Sequence, residues 1–153
     1  MKALVLFHSQ EQGNTKLMAE AVAEGLKSEG AQADLFNTND DRFVIAKFAG
    51  YDCAAFGSPD YYSYVAGGMK MFMDDHYIAA ELKAVKGLKD KPYALFYSHG
   101  GGGKVKASLE DLFKRIGRKV GETVESKGKP SAAVLGKCRK LGSELAKAVK
   151  QPH

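Results

Sequence analysis

The chain has 153 residues, 44% hydrophobic and 27% charged, which is enough apolar material for a buried core and too much for a disordered segment. No apolar run approaches the roughly eighteen residues of a membrane-spanning helix, and two cysteines, Cys53 and Cys138, cannot build a disulfide framework. The net charge of +5 hides an imbalance: residues 1–82 carry 6 basic and 12 acidic side chains, whereas residues 83–153 carry 17 and 6.

Strand and helix signals alternate along the chain. Residues 2–7 (KALVLF) are a short apolar run that reads as a first strand, too short to serve as a signal peptide. Leu17, Met18, Ala21, Val22 and Leu26 then follow at helical spacing. Residues 31–37 (AQADLFN) predict a weaker second strand, 41–48 a short helix, and 52–58 (DCAAFGS) a third strand. From Val65, the positions Met69, Phe72 and Met73 trace the next helix, with the methionines as core packing. Residues 92–98 (PYALFYS) make the fourth strand, with Pro92 tolerable at its start. Val105, Leu109, Leu112, Phe113 and Ile116 mark a helix, and 118–126 (RKVGETVES) is the fifth strand candidate, weakened by Gly121. The last helix runs from about Ser131 to Val149, with Pro130 as its lead-in. Cys53 and Cys138 fall in apolar settings and read as buried free thiols, which accords with a cytoplasmic location.

Near-continuous apolar strands separated by helices predict one α/β domain over 1–150, a parallel sheet covered on both faces. Ligands of such sheets lie beyond the C-terminal strand ends, and that rule singles out the loops 8–14, 57–64 and 98–103. In the first, SQEQGNT, Gly13 allows close approach, Asn14 or Thr15 can cap the helix, and Ser9, Gln12 and Thr15 can donate to an anion at the helix N-terminus. The same loop could simply be a well-capped helix start; it matches neither the P-loop nor the dinucleotide glycine pattern. In the second, Pro59 introduces Tyr61, Tyr62 and Tyr64, which can face a flat ligand or serve as an aromatic turn in dimer packing. In the third, SHGGGG, the glycines of 100–103 are costly to order and make sense where backbone amides approach a ligand, or as a surface loop. His99 could bond the ligand or cap a turn. A phosphate site beside two loops that clamp a planar ring implies a mononucleotide-like cofactor. Asp74, Asp75 and His76 are neighbours on a helix and do not converge on one ion, so no metal is expected.

These motifs resemble flavodoxin-fold FMN proteins. SQEQGNT is similar to the family's phosphate loop. GSPDYYSYVAGGMKMFMD resembles the second flavin loop and helix of flavodoxin-like quinone reductases. FYSHGGGGKVKASLEDLFKRIG and GKPSAAVLGKCRKLGSELAKAV resemble the end of the flavodoxin domain in flavodiiron proteins. The resemblance implies a flavodoxin-like three-layer sandwich with a five-stranded parallel sheet in the order 2-1-3-4-5. It also implies FMN as cofactor. Ser9, Gln10, Gln12, Gly13, Asn14 and Thr15 would hold the phosphate, and Ser58, Pro59, Asp60, Tyr61 and Tyr62 would line the ring. Ser98, His99, Gly100 and Gly101 would flank its other side.

Three departures from the family pattern stand out. The first loop is one residue longer than the usual turn, and its Glu11 must point away from a phosphate. Gly101 stands where many flavodoxins place a large aromatic, which leaves one ring face less covered. The basic second half differs from the acidic surface typical of electron-carrying flavodoxins. Without any nucleic-acid motif it reads as a solvated face or as a docking surface for an acidic partner or a phosphorylated substrate. The expected activity is electron carriage between redox proteins. The alternatives are NAD(P)H-dependent reduction of a small acceptor such as a quinone, and a cofactor-free binding module.

Overall fold

A computed structural model describes residues 1–151. The strands are β1 (Lys2–Phe7), β2 (Gln32–Asn37), β3 (Cys53–Pro59), β4 (Lys91–His99), β5 (Gly117–Lys119) and β6 (Val124–Lys127). The helices are α1 (Asn14–Ser28), α2 (Gly67–Tyr77), α3 (Val105–Phe113) and α4 (Ala132–Lys150). All strand pairings are parallel, in the order β2-β1-β3-β4-β5, with β6 also paired to β4.

The expected continuous fifth strand over 118–126 is broken. Its first part, β5, pairs with Lys91–Tyr93, and its second, β6, pairs with Phe96–His99 on the same side of β4. Gly121, at φ 69°, sits in the gap and takes the chain out of extended geometry. The expected helix over 41–48 is instead a six-residue 3₁₀ segment, Ile45–Gly50. Residues 41–44 are held open by other bonds: Arg42 makes a two-pronged ion pair with Asp75 at 3.0 and 2.7 Å, and Phe43 packs on Phe36 and Phe72. The helix expected from Val65 begins at Gly67, and past Tyr77 it widens into a π turn, Ile78–Leu82.

Side-chain alternation in the strands builds two cores. Ala3, Val5, Cys53, Ala55, Ala94 and Phe96 face α1 and α4, whereas Leu4, Leu6, Ala54, Phe56, Leu95 and Tyr97 face α2 and α3. On the first side α1 and α4 lie almost backbone to backbone. A Cβ on Gly25 would strike the Arg139 carbonyl, and one on Gly142 the Val22 carbonyl. Both cysteines are free and fully buried, and burial pushes each thiol up to about 12. His76 donates to the Leu88 carbonyl at 2.7 Å, Asp74 pairs with Lys70 and Asp75 with Arg42, so this trio serves the fold. No helix among the described residues is long and apolar enough to cross a membrane.

Candidate functional site

The C-terminal ends of β1, β3 and β4 converge, and the three loops that leave them enclose a cleft of about 270 Å³. The first loop leaves β1 at His8. Gly13 N–H donates to the Gln10 carbonyl at 3.1 Å, and Leu17 N–H donates to the Gly13 carbonyl at 3.1 Å as the first helical bond. Gly13 (φ 71°) is therefore the helix-capping residue, not Asn14 or Thr15. The tight turn requires that left-handed conformation, which glycine adopts without penalty. Ser9 provides the side-chain cap, since its Oγ accepts from the Lys16 N–H at 3.3 Å. The N–H groups of Gln12, Asn14 and Thr15 have no partner among the described residues and are free for an anion at the positive end of α1.

Residues that the sequence pattern did not single out hold this loop. Asn37, at the end of β2, grips the Ser9 backbone from both sides: its Oδ1 accepts from Ser9 N–H at 3.0 Å and its Nδ2 donates to the Ser9 carbonyl at 2.9 Å. His8 bridges Thr38 Oγ1 and Gln10 Oε1, each at 2.9 Å, and its ring meets Tyr61 edge-on at 5.9 Å. An amide at a strand end, next to the first loop, was the available signal for Asn37.

The second loop is anchored by polar side chains. Ser58 Oγ is fully buried, donating to the Pro59 carbonyl at 2.8 Å and accepting from Ala66 N–H at 3.0 Å. Asp60 accepts from Ser63 N–H at 2.7 Å and from Val105 N–H at 3.2 Å, which ties the loop to the start of α3. Tyr61 and Tyr64 exchange backbone bonds of 3.1 Å around Tyr62 (φ 54°) and Ser63 (φ 64°). Two consecutive positive φ values are the mark of a type I′ hairpin turn. Tyr62 projects from its tip fully into solvent, at 105% relative exposure.

In the third loop Ser98 Oγ and Thr15 Oγ1 lie 2.8 Å apart, a buried hydrogen bond between the first and third loops. His99 Nε2 is 3.0 Å from Glu125 Oε1, and Tyr97 donates to the other carboxylate oxygen. Those two bonds, Tyr97 first, hold the Glu125 carboxyl below its ordinary pKa. An ionised Glu125 only accepts, so Nε2 of His99 carries a proton. Nδ1 is buried and has no partner among the described residues. Gly128, in the loop after β6, donates to the His99 carbonyl at 2.8 Å and completes the cleft wall.

The cleft brings together Ser9, Gln10, Gln12, Gly13, Asn14, Thr15, Pro59, Asp60, Tyr61, Ser98, His99 and Gly100 of the expected residues, and adds Glu11 and Gly128. Ser58, Tyr62 and Gly101 are not on its wall. Ser58 lies beneath it, while Tyr62 and Gly101 border a second hollow with Lys104. The cleft wall carries no lysine or arginine, so an anion there is met by neutral donors. Glu11 (φ 44°) lines the cleft, and the Tyr61 hydroxyl is pushed up by burial and by the Glu11 charge.

This geometry has close parallels in known proteins. A protein of Thermosynechococcus vestitus, named as a diflavin flavoprotein A 2, is 28% identical over 151 residues, 97% of this chain but 25% of that one. This chain thus spans about a quarter of the curated relatives it matches. A flavodoxin from the domain Archaea superposes with a TM-score of 0.83 at 28% identity, covering 99% of this chain and 100% of that one. Rubredoxin oxygen:oxidoreductase of Desulfovibrio gigas shares the fold at a TM-score of 0.79 and 19% identity, over 97% of this chain and 36% of that one. The family model described as Flavodoxin matches residues 5–150. The chain belongs to the flavodoxin family, whose members bind FMN.

Proposed function

We propose that this chain holds FMN in the cleft and works as an electron carrier between redox proteins. The observation that carries the reading is the set of unpaired N–H groups of Gln12, Asn14 and Thr15 at the start of α1, opposite a wall made by Tyr61 and the glycine loop. The orphaned Nδ1 of His99 beneath that wall fits a partner supplied by a ligand or by a loop rearranged around one. Ser9, Gln12, Gly13, Asn14 and Thr15 would hold the phosphate. Pro59, Asp60, Tyr61, Ser98, His99 and Gly100 would border the ring. When bound, FMN supplies reversible uptake of one or two electrons. The protein's part is orientation, partial exclusion of water and hydrogen bonding, with no residue required as a nucleophile. Free, buried thiols accord with the reducing environment of a cytoplasm.

A second reading, reduction of a small acceptor by NAD(P)H, draws on the open space at Gly100 and Gly101, where an added Cβ would meet nothing within 4 Å. Mixing the FMN-loaded protein with NADPH separates the two. A carrier keeps its yellow colour over the mixing time, and a reductase bleaches. A purified chain that takes up no FMN would refute both and leave the cofactor-free module.

A further inference from the structure

Beside the cleft, and sharing Asp60, His99 and Gly100 with it, lies a second hollow of about 410 Å³ lined also by Tyr62, Ser63, Gly101, Gly102 and Lys104. Given the FMN reading above, on which this inference rests, we propose that this hollow is the docking seat of an acidic redox protein.

The charge pattern carries the argument. Lys104 and Lys106 follow the glycine loop, and Lys127 and Lys129 flank Gly128 on the cleft wall. All four are exposed and make no ion pair or side-chain hydrogen bond among the described residues. Elsewhere in the basic half, Lys114, Lys119, Lys140 and Lys147 each have a carboxylate within 3.9 Å, whereas Lys83, Lys86, Arg118 and Lys137 have none among the described residues. The carboxylates nearest the mouth are already engaged. Asp60 accepts from two backbone N–H groups, and Glu125 accepts from Tyr97 and His99. None of these carboxylates lies within ion-pair distance of the four lysines, which outnumber Asp60, Glu125 and Glu11 around the mouth.

Tyr62, on the same hollow, offers an apolar anchor. The left-handed Tyr62 and Ser63 are strained, and the turn is held by Asp60 on Ser63 N–H and by Ser108 Oγ on the Ser63 carbonyl at 3.3 Å. What that arrangement achieves is a tyrosine ring wholly in solvent at the rim, the residue type that dominates interface energetics. The glycines of the hollow have no side chains, so a partner's redox centre can come close to the cleft. Lysines spread over the start of α3 and the end of β6, with no converging arginine, suit a broad carboxylate-bearing surface better than a single phosphate.

The test mixes FMN-loaded protein in a stopped-flow spectrometer with a chemically reduced plant-type ferredoxin, an acidic one-electron carrier, as probe. Each encounter moves one electron from the iron–sulfur cluster, which is oxidised, to the bound flavin, which is reduced; protons come from solvent. The second-order rate falls as ionic strength rises. Lys104→Glu with Lys127→Glu lowers it about tenfold at low salt and flattens the salt dependence. Lys83→Glu with Lys86→Glu makes the same charge change near the start of β4, at the far end of the sheet, and alters the rate less than about twofold. Tyr62→Ser lowers the rate at every salt concentration.

Equal losses in the two double variants would reduce the effect to bulk charge and overturn the proposal. So would an unchanged rate in Lys104→Glu/Lys127→Glu, or a loss confined to reduction by NADPH. A loss of FMN affinity in Tyr62→Ser overturns the anchor. FMN titration of each variant keeps the readings apart: intact FMN affinity with an unchanged rate refutes docking alone, and failure of the parent chain to take up FMN overturns both.

Discussion

Replacing Thr15 by valine keeps the shape of a side chain that is 2% exposed and removes its hydroxyl. That hydroxyl is bonded to Ser98 Oγ at 2.8 Å. Losing one net hydrogen bond and leaving Ser98 without this partner costs about 1–2 kcal/mol. For a chain of this size that lowers Tm by about 2–8 °C. In the FMN complex the same hydroxyl is assigned to the phosphate, where a bond to a charged group is worth about 1.5–3 kcal/mol, or roughly 10–150-fold in Kd. Thermal melts of the FMN-free protein read the first effect, and quenching of FMN fluorescence reads the second. Thr15→Ser keeps the hydroxyl and restores both. If Thr15→Val lowers Tm but titrates FMN like the parent, the hydroxyl only ties two loops together and its phosphate role is refuted. Ser98→Ala supplies the cycle: if the melting effect runs through this pair, the double variant melts little below either single one.

Glu11→Gln removes the one carboxylate of the phosphate loop and tightens FMN binding by about two- to fivefold at low salt, as expected for an exposed charge; equal affinity would show that Glu11 does not face the phosphate. Nitrogen NMR of the FMN-free protein at neutral pH should find His99 protonated on Nε2, and Glu125→Ala should release that preference. An Nε2 without a proton in the parent chain refutes the assigned chain from Tyr97 through Glu125 to His99. His76 is buried, and desolvation holds its pKa below 6.5. The unfolded chain then binds the extra proton first as pH falls, so His76 leaves stability intact above pH 6.5 and removes some of it between 6.5 and its lower folded value. Urea midpoints at about pH 8 and about pH 5.5 should differ in the parent and converge in His76→Gln, which can still donate to the Leu88 carbonyl; an equal difference in both proteins assigns the pH effect to other groups.

How far the fold could be read in advance depended on what each residue reports. The apolar runs at 2–7, 52–58 and 92–98 are buried on both faces, so their composition alone marks central parallel strands, and the 3.6-residue stripes after them mark the covering helices. The fifth strand was less legible because a glycine interior to a strand reads as weakness, without saying that two pieces would resume beside the same neighbour. The 41–48 segment reads as a short helix, but long-range partners, Asp75 for Arg42 and an aromatic cluster for Phe43, hold its first residues open.

The three loops were visible through composition. What composition could not show was which polar groups are already spent. Ser58 reads as a ligand contact and is a buried brace, and Asp60 reads as a wall residue and is also the cap of α3. Asn37, Glu125 and Gly128 come from other strand ends and reach the site only through the pairing of the sheet. No local pattern marks Glu125 or Gly128.

The central claim is that FMN occupies the cleft at the start of α1. The most direct measurement is a titration of the FMN-free, isotope-labelled protein with FMN, followed by amide nitrogen–proton NMR. The account predicts one FMN per chain, with the largest shifts at the amides of Gln12, Gly13, Asn14, Thr15, Tyr61, Gly100 and Gly128. Saturable binding whose shifts fall elsewhere, or no shift at any FMN concentration, would contradict it.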